Sequence, residues 1–316
     1  ACEAALDDAE VVGTSTRQVF DVPDPPVVVT EHRAERRRCA CGCETAAAFP
    51  PEAAAPACYG PSIKAHALYL MCAQHIPRER CAETLADLFG VAVSTGTLDN
   101  WLREAAGALA TFLAVVAARL RAAPVVHADE TSVRSGKAAL WVHVSCTAML
   151  TLLHVGRRDK ATIEAGPLGD YTGTIVHDRL AAYFNYGTAH VLCNAHILRS
   201  LDELLANHRH QPWAKAFIEL IVGTKHRADA ARAAGKARLS DHHRGRARKA
   251  WDELCAQAAV AAPPPPPGCK LYGTNKDARN LAVALAEHRD LFLAYTRDLT
   301  LPFDNYPEVA IMPMLA

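Results

Sequence analysis

The chain has 316 residues, and its 34 Lys and Arg balance its 34 Asp and Glu, so overall charge favours no class of partner. No apolar stretch reaches the ~18 residues that a membrane span needs, and the start lacks the pattern of a secretory signal. The 11 cysteines are odd in number and scattered, which indicates a reducing compartment. We therefore expect a cytoplasmic chain of two or three domains with no membrane partner.

Three cysteines, Cys39, Cys41 and Cys43, lie close together in the stretch "RRRCACGCET". A cysteine–glycine turn beside arginines is typical of half of a tetrahedral zinc site, which needs four ligands. Cys2 and Cys58 are further cysteines nearby. We expect Cys39 and Cys41 to converge with Cys2 on a zinc ion, and unligated surface thiols are the alternative.

Residues 78–102 have the pattern of a helix–turn–helix. Ala86 stands where a small residue allows helices to cross, Gly90 suits the tight turn, and Ser94 can cap the second helix. Such a unit can insert its second helix into a DNA groove, but it is also a common packing motif. The second helix offers one basic residue, Arg103, just beyond its end. The pattern therefore predicts a weak reader of bases.

Five strands are predicted between residues 124 and 193, with a helix before the fourth strand and another helical segment before the fifth. "APVVHAD" is the first strand, "GTIVHD" the fourth and "AHVLC" the fifth. If the first and fourth strands are adjacent and parallel, Asp129 and Asp178 meet at one sheet edge. Like charges that close repel, and a divalent cation such as Mg²⁺ relieves the repulsion. A third acid would complete a two-metal site that can cut and join phosphodiesters.

Other polar residues near these strands have simpler interpretations. Glu130 is one residue beyond Asp129, so it points to the opposite face of the strand. His127 and His177 are expected to pack or to form hydrogen bonds. Cys193 and His196 lie about one helical turn apart, which suits either a metal site or a hydrogen bond from His196 to the fifth strand.

Residues 225–249 carry nine Lys and Arg against two Asp. A basic segment of this kind can contact nucleic acid, and a solvated helix face is the alternative. We expect it to contact DNA phosphates and not bases, because cations scattered along a helix can follow a backbone without reading its sequence.

Several of these motifs resemble the DDE transposases, and most closely the IS-sixty-six family of insertion-sequence transposases. "HADET", "HDRLAAY" and "CNAH" are similar to that family's core motifs, and "LPFDNYPE" to its C-terminal block. "CACGCETAAAFP" and "YGPSIKAHALYL" resemble its zinc-binding N-terminal region, and "IPRERCAETLADLFGVAVSTGTL" the segment that follows. The similarity covers nearly the whole chain in the right order.

The resemblance implies an α/β chain with a ribonuclease-H-like mixed five-stranded sheet, a large α-helical insertion and an N-terminal zinc-binding and helical region. Asp129, Asp178 and Glu308 would be the catalytic acids and would bind Mg²⁺ or Mn²⁺. The implied partners are insertion-sequence ends, target DNA, further copies of the chain and accessory transposition proteins, at the nucleoid of a bacterium. The implied segments are zinc-binding 1–58, helical 59–122, catalytic 123–196, insertion 197–300 and acid-bearing 301–316.

The C-terminal block departs from the family pattern. Tyr306 follows Asn305 where a second Asn is usual, and Val309 follows Glu308 where Arg is usual. Both ends look truncated by comparison with the family. A catalytically inactive or truncated DNA-binding relative is therefore the alternative to an active transposase, and a nuclease acting on RNA is a weaker third possibility.

Overall fold

The computed structural model describes residues 10, 12–21, 27–207 and 211–305, without the side chains of Ser135 and Thr274. The chain divides into two compact units, residues 1–109 and 110–316. In the first unit, strands β1 (Arg36–Arg38) and β2 (Glu44–Ala46) form an exposed antiparallel hairpin. Three helices follow: α1 (Pro61–Leu68), α2 (Arg78–Phe89) and α3 (Thr95–Ala108).

Helices α2 and α3 form the predicted helix–turn–helix. Gly90 ends α2 with a φ of 66°, a left-handed conformation that glycine adopts without a Cβ clash. The Ser94 hydroxyl accepts a hydrogen bond from the backbone N–H of Thr97 and so caps α3. The crossing predicted at Ala86 is wrong, because Ala86 is exposed and the fully buried Leu85 packs into the core instead.

The second unit contains the predicted five-stranded sheet. Its strands are β3 (Val125–Ser135), β4 (Ala138–Cys146), β5 (Thr151–Gly156), β6 (Thr174–His177) and β7 (Ala189–Leu192). They lie in the order β5–β4–β3–β6–β7, with β3, β6 and β7 parallel and β4 and β5 antiparallel to their neighbours. The sheet is therefore mixed, and β3 and β6 are adjacent and parallel as the sequence predicts.

The first strand of this sheet is longer than its apolar pattern indicates. Asp129 does not end β3, because the strand continues to Ser135 in a hairpin with β4. The turn is two residues long and begins at Gly136, whose φ is 59°. The pairing of β3 with β6, in contrast, ends at His127. The cross-strand ladder with β4 holds the polar second half of β3 extended.

The remaining elements of the second unit are helical: α4 (Ala110–Arg121), α5 (Lys160–Ala165), α6 (Asn194–Asn207), α7 (Pro212–Ala233), α8 (Asp241–Ala261), α9 (Gly273–Glu287), α10 (Arg289–Phe292) and α11 (Ala294–Arg297). The fully buried Trp213, Phe217, Trp251 and Phe292 give the longer helices a common core. Helix α8 ends just before the proline run, which cannot continue a helix. Among the described residues, no helix is on its own long and apolar enough to cross a membrane, and only α3 and α4 taken together meet that test.

Candidate active site

The register between β3 and β6 aligns the two predicted catalytic aspartates. Val125 pairs with Thr174 and His127 with Val176, a constant offset of 49 residues. Asp129 and Asp178 each lie two residues beyond the last pair, His127 and Val176, so the same offset separates them. Adjacent strands are about 4.8 Å apart, so the two acids lie at one edge where the parallel ladder ends.

Burial controls the charge of Asp129. Its side chain is 15% exposed, and this loss of solvent raises the pKa of Asp129 to about 7. The backbone N–H of Glu130 donates to Asp129 Oδ1 at 2.9 Å and opposes the rise in pKa, while the Asp178 charge adds to it. Repulsion between the two aspartates is the effect that the sequence analysis invokes. It contributes, but desolvation is the larger cause.

Asp178 directly follows β6 and turns the chain toward the next segment. Its Oδ1 accepts a hydrogen bond from the backbone N–H of Leu180 at 2.7 Å, as in an Asx turn. Within the described part of the chain, neither Asp129 nor Asp178 has an ion pair with Lys or Arg. The nearby cations act on the two acids from a distance: Arg199 on Asp129, and Arg179 on Asp178.

His196 faces the acids from the first turn of α6. Its Nε2 lies 4.0 Å from Asp129 Oδ2, and its Nδ1 is buried without a hydrogen-bond partner in the described residues. Of the two alternatives for His196, a metal site or a hydrogen bond to the fifth strand, the hydrogen bond is not formed among the described residues. Burial lowers the pKa of His196, and the Asp178 charge opposes this effect. Arg199, one turn further along α6, lowers the pKa of Asp129 electrostatically, and the sequence reasoning overlooked it.

Glu130 is not available to the acid pair. Its Oε1 accepts a hydrogen bond from Arg158 at 2.6 Å, and its Oε2 accepts one from the Tyr183 hydroxyl at 2.5 Å. Its side chain is 2% exposed. The carboxylate is thus held by two donors, as its position one residue beyond Asp129 suggested.

Asn305 fastens the C-terminal block to the end of the sheet. Its side chain accepts from His127 Nδ1 at 2.7 Å and donates to the carbonyl oxygen of Ala128 at 3.1 Å. Its backbone N–H donates to Cys193 Sγ at 3.2 Å, and Asn305 is completely buried. Residues 305, 127, 128 and 193 form what we call the Asn305 latch. The expected hydrogen-bonding role of His127 is observed here, and Cys193 accepts a hydrogen bond within the latch.

Three other residues singled out in the sequence are a buried histidine and two that the structure does not describe. His177 is fully buried and lies 3.2 Å from His190 through their ring nitrogens, which agrees with a packing and hydrogen-bonding role. Burial lowers the pKa of His177 to about 3, so its ring is neutral. Glu308, the third predicted acid, and Cys2, the third predicted zinc ligand, lie outside the described residues.

The cysteine cluster of the first unit brings three sulfur atoms together. The Sγ atoms of Cys39, Cys41 and Cys43 lie within 4.8 Å of one another, a spacing that can hold a metal ion. Cys39 and Cys41 are joined as a disulfide, while Cys43 is free. A zinc ion would require Cys39 and Cys41 in the reduced state, because thiolates are the ligands. Cys43 therefore lies in one cluster with Cys39 and Cys41, and Cys58 lies outside that cluster.

The two units define an α/β protein with a mixed sheet, an acidic sheet edge and a tri-cysteine cluster. The family model described as Transposase IS66 family matches residues 56–314. The chain belongs to that family, as the sequence motifs predicted. A search of the curated proteins found no match.

Proposed function

We propose that this chain is a DNA transposase of the DDE type, built on a ribonuclease-H-like sheet, and that Asp129 and Asp178 bind its catalytic metal ions. The observation that carries the proposal is the register of β3 and β6, which aligns two carboxylates at one sheet edge. Because the chain belongs to a transposase family, the reaction expected at this sheet edge is the cutting and joining of DNA.

The carboxylates fit a divalent cation. Asp129 is buried enough that its pKa is about 7, and a bound cation would favour its ionised form. Asp178 offers its second carboxylate oxygen, because only Oδ1 accepts a described hydrogen bond. Oxygen ligands of this kind are preferred by Mg²⁺ and Mn²⁺.

Glu308 is proposed as the third acid because of the reach of the chain. Asn305 contacts Ala128, the residue before Asp129. Three further residues extend at most about 10 Å, so Glu308 can reach the acid edge without moving the Asn305 latch. A carboxylate from a segment outside the sheet would complete the site that the family resemblance implies.

The proposed reaction has two steps that use one site. Water attacks a phosphodiester at the end of the insertion sequence, the bond from phosphorus to the 3′ oxygen breaks, and a 3′ hydroxyl is released. That hydroxyl then attacks a phosphodiester of target DNA and displaces a second 3′ hydroxyl. A bound divalent cation supplies charge stabilisation for the phosphate and lowers the pKa of the attacking group. The two aspartates position that charge, and burial around Asp129 excludes competing water.

The test is strand cleavage and strand transfer on DNA that carries the ends of the element, with Mg²⁺ or Mn²⁺. Asp129→Asn, Asp178→Asn and Glu308→Gln should each lower the rate at least about 100-fold, since each removes a metal ligand. Asp170→Asn removes an exposed acid of the same unit and should leave the rate unchanged.

The outcomes separate the candidate functions. Loss of activity in the two aspartate variants with activity kept in Glu308→Gln would mean that another residue is the third acid. A wild-type chain that binds DNA but cleaves neither strand would identify the catalytically inactive relative. Cleavage of RNA without cleavage of DNA would identify a ribonuclease.

A further inference from the structure

The basic segment 225–249 is mostly neutralised within the chain. It covers the second half of α7 and the first half of α8. Five of its nine cations form ion pairs with carboxylates: Lys225 and Arg232 with Asp229, Arg244 with Asp241, Arg248 with Asp290, and Lys249 with Glu253. The bare charge count of the segment therefore overstates what it offers to a partner.

The other four cations have no carboxylate within ion-pair distance in the described residues: Arg227, Lys236, Arg238 and Arg246. Two of these, Arg227 and Arg246, line one cleft of about 140 Å³ between α7 and α8. The cleft follows from helical spacing, because residues 220, 224 and 227 share one face of α7 and residues 243, 246 and 250 share one face of α8.

The lining of this cleft suits an anion. No carboxylate is among its lining residues, and His243 adds a ring nitrogen beside Arg246. Arg227 and Arg246 are both exposed, and Arg227 uses one guanidinium nitrogen to donate to the carbonyl oxygen of Gly223 at 3.1 Å. Its other N–H groups stay available. A guanidinium fork is well matched to a phosphate, and two of them from different helices can hold one from two sides.

We propose that this α7–α8 cleft binds a backbone phosphate of the DNA on which the enzyme acts. The inference rests on the proposed function and deepens it, since it narrows the DNA contact of the basic segment to Arg227, Arg246 and His243. The ion-paired cations beside the cleft contribute little, because the carboxylate next to each one offsets its charge. Binding is expected to be independent of base sequence.

The experiment compares two double variants by equilibrium binding to duplex DNA over a range of salt concentrations. Arg227→Gln with Arg246→Gln removes the two free cations of the cleft. Arg248→Gln with Lys249→Gln removes two ion-paired cations of α8 and is the matched control. The cleft variant should bind about tenfold or more weakly near 0.1 M salt, and its salt slope should fall by about 0.9 for each phosphate that the protein no longer neutralises. The control should bind within about twofold of the wild type.

Equal binding by the cleft variant and the wild type would overturn the inference, as would equal losses in both double variants. A loss confined to one DNA sequence would also overturn it. An RNA duplex of the same sequence is the second arm, and a cleft-dependent loss on RNA alone would reject DNA as the partner. Failure of the wild type to bind any DNA would instead reject the proposed function, so the two failures are distinguishable. Circular dichroism of both variants establishes that they are folded.

Discussion

At the scale of single residues, the acid edge depends on one alignment. A shift of one residue between β3 and β6 would turn one of the two carboxylates to the opposite face of the sheet. The observed ladder has an offset of 49 residues, and the same 49 residues separate Asp129 from Asp178. Both acids accept a backbone hydrogen bond, and burial in addition raises the pKa of Asp129 to about 7.

Asp129 should destabilise the metal-free protein as pH rises. Its pKa is 3.8 in the unfolded chain and about 7 in the folded one, so the folded state holds the proton more tightly. Stability is therefore unaffected below about pH 4 and is lost as pH rises through about 7. Asp129→Asn should raise the free energy of unfolding at pH 8 by about 4 kcal/mol, from ~1.4 kcal/mol per pKa unit, and leave it nearly unchanged at pH 4.

Urea unfolding at the two pH values, with chelator present, measures this difference. Adding Mg²⁺ at pH 8 should stabilise the wild type and not Asp129→Asn, because only the wild type keeps the ligand. Asp170→Asn, which changes an exposed acid, should match the wild type throughout. The same gain for Asp129→Asn at pH 4 and pH 8 would show that packing, and not charge, is responsible.

Asn305 should matter for both stability and activity. Asn305→Ala leaves His127 Nδ1 and the Ala128 carbonyl buried without their partner, which costs about 1–3 kcal/mol for each group. We expect a loss of about 3 kcal/mol in urea unfolding, and strand transfer should fall further than this loss of folded protein explains. Asn185→Ala, at an exposed residue, should change stability by less than about 0.5 kcal/mol. Full strand transfer by Asn305→Ala would contradict a positioning role.

At the scale of elements, the local signals that the sequence carries are the turn residues and caps. Gly90 and Ser94 act where they were predicted, because a left-handed turn and an N-cap are each set by a few neighbouring residues. Ala86 was misassigned, since which face of α2 is buried depends on long-range packing of Leu85. The extension of β3 to Ser135 was missed because its partner strand, and not its own composition, holds it extended.

Replacing glycine by alanine should have opposite effects on stability in a turn and in a helix. Gly90→Ala forces a side chain into a left-handed conformation with a φ of 66° and should destabilise the helix–turn–helix by about 1 kcal/mol. Gly245→Ala lies within α8, where a Cβ would meet open space, and should stabilise its unit by about 0.5–1 kcal/mol. Thermal unfolding of each variant should therefore shift in opposite directions, and shifts of the same sign would contradict this account.

At the scale of the whole molecule, the mixed five-stranded sheet and its parallel β3–β6 pair could be predicted from the sequence, but the surroundings of Asp129 could not. The apolar runs that precede Asp129 and Asp178 are visible in the sequence and predict β3 and β6. His196, Arg199 and Asn305 reach the acids only through the fold, because they come from a helix and a segment distant in sequence. The ion pairs that neutralise the basic segment are likewise invisible in a charge count.

The tri-cysteine cluster should hold zinc in reduced protein. We expect about one zinc per chain by elemental analysis, and its loss in Cys41→Ser and in Cys43→Ser, since each removes one of three clustered thiolates. Cys58→Ser should keep the metal, because Cys58 hydrogen-bonds with the backbone of Ala55 outside the cluster. Zinc retained by both cluster variants would show that the ion binds elsewhere, and zinc absent from the reduced wild type would favour unligated thiols.

The Asn305 latch can form only late in the synthesis of the chain. Asn305 and Ala128 are 177 residues apart, so at usual rates of bacterial and other protein synthesis their meeting is delayed by on the order of 10–35 s. Asp129 and Asp178 are both synthesised within the first third of that interval, while the hydrogen bond of His127 to Asn305 can form only at its end. Asn305 must therefore be synthesised before the latch can form, and a chain that ends earlier lacks this partner of His127 and Ala128.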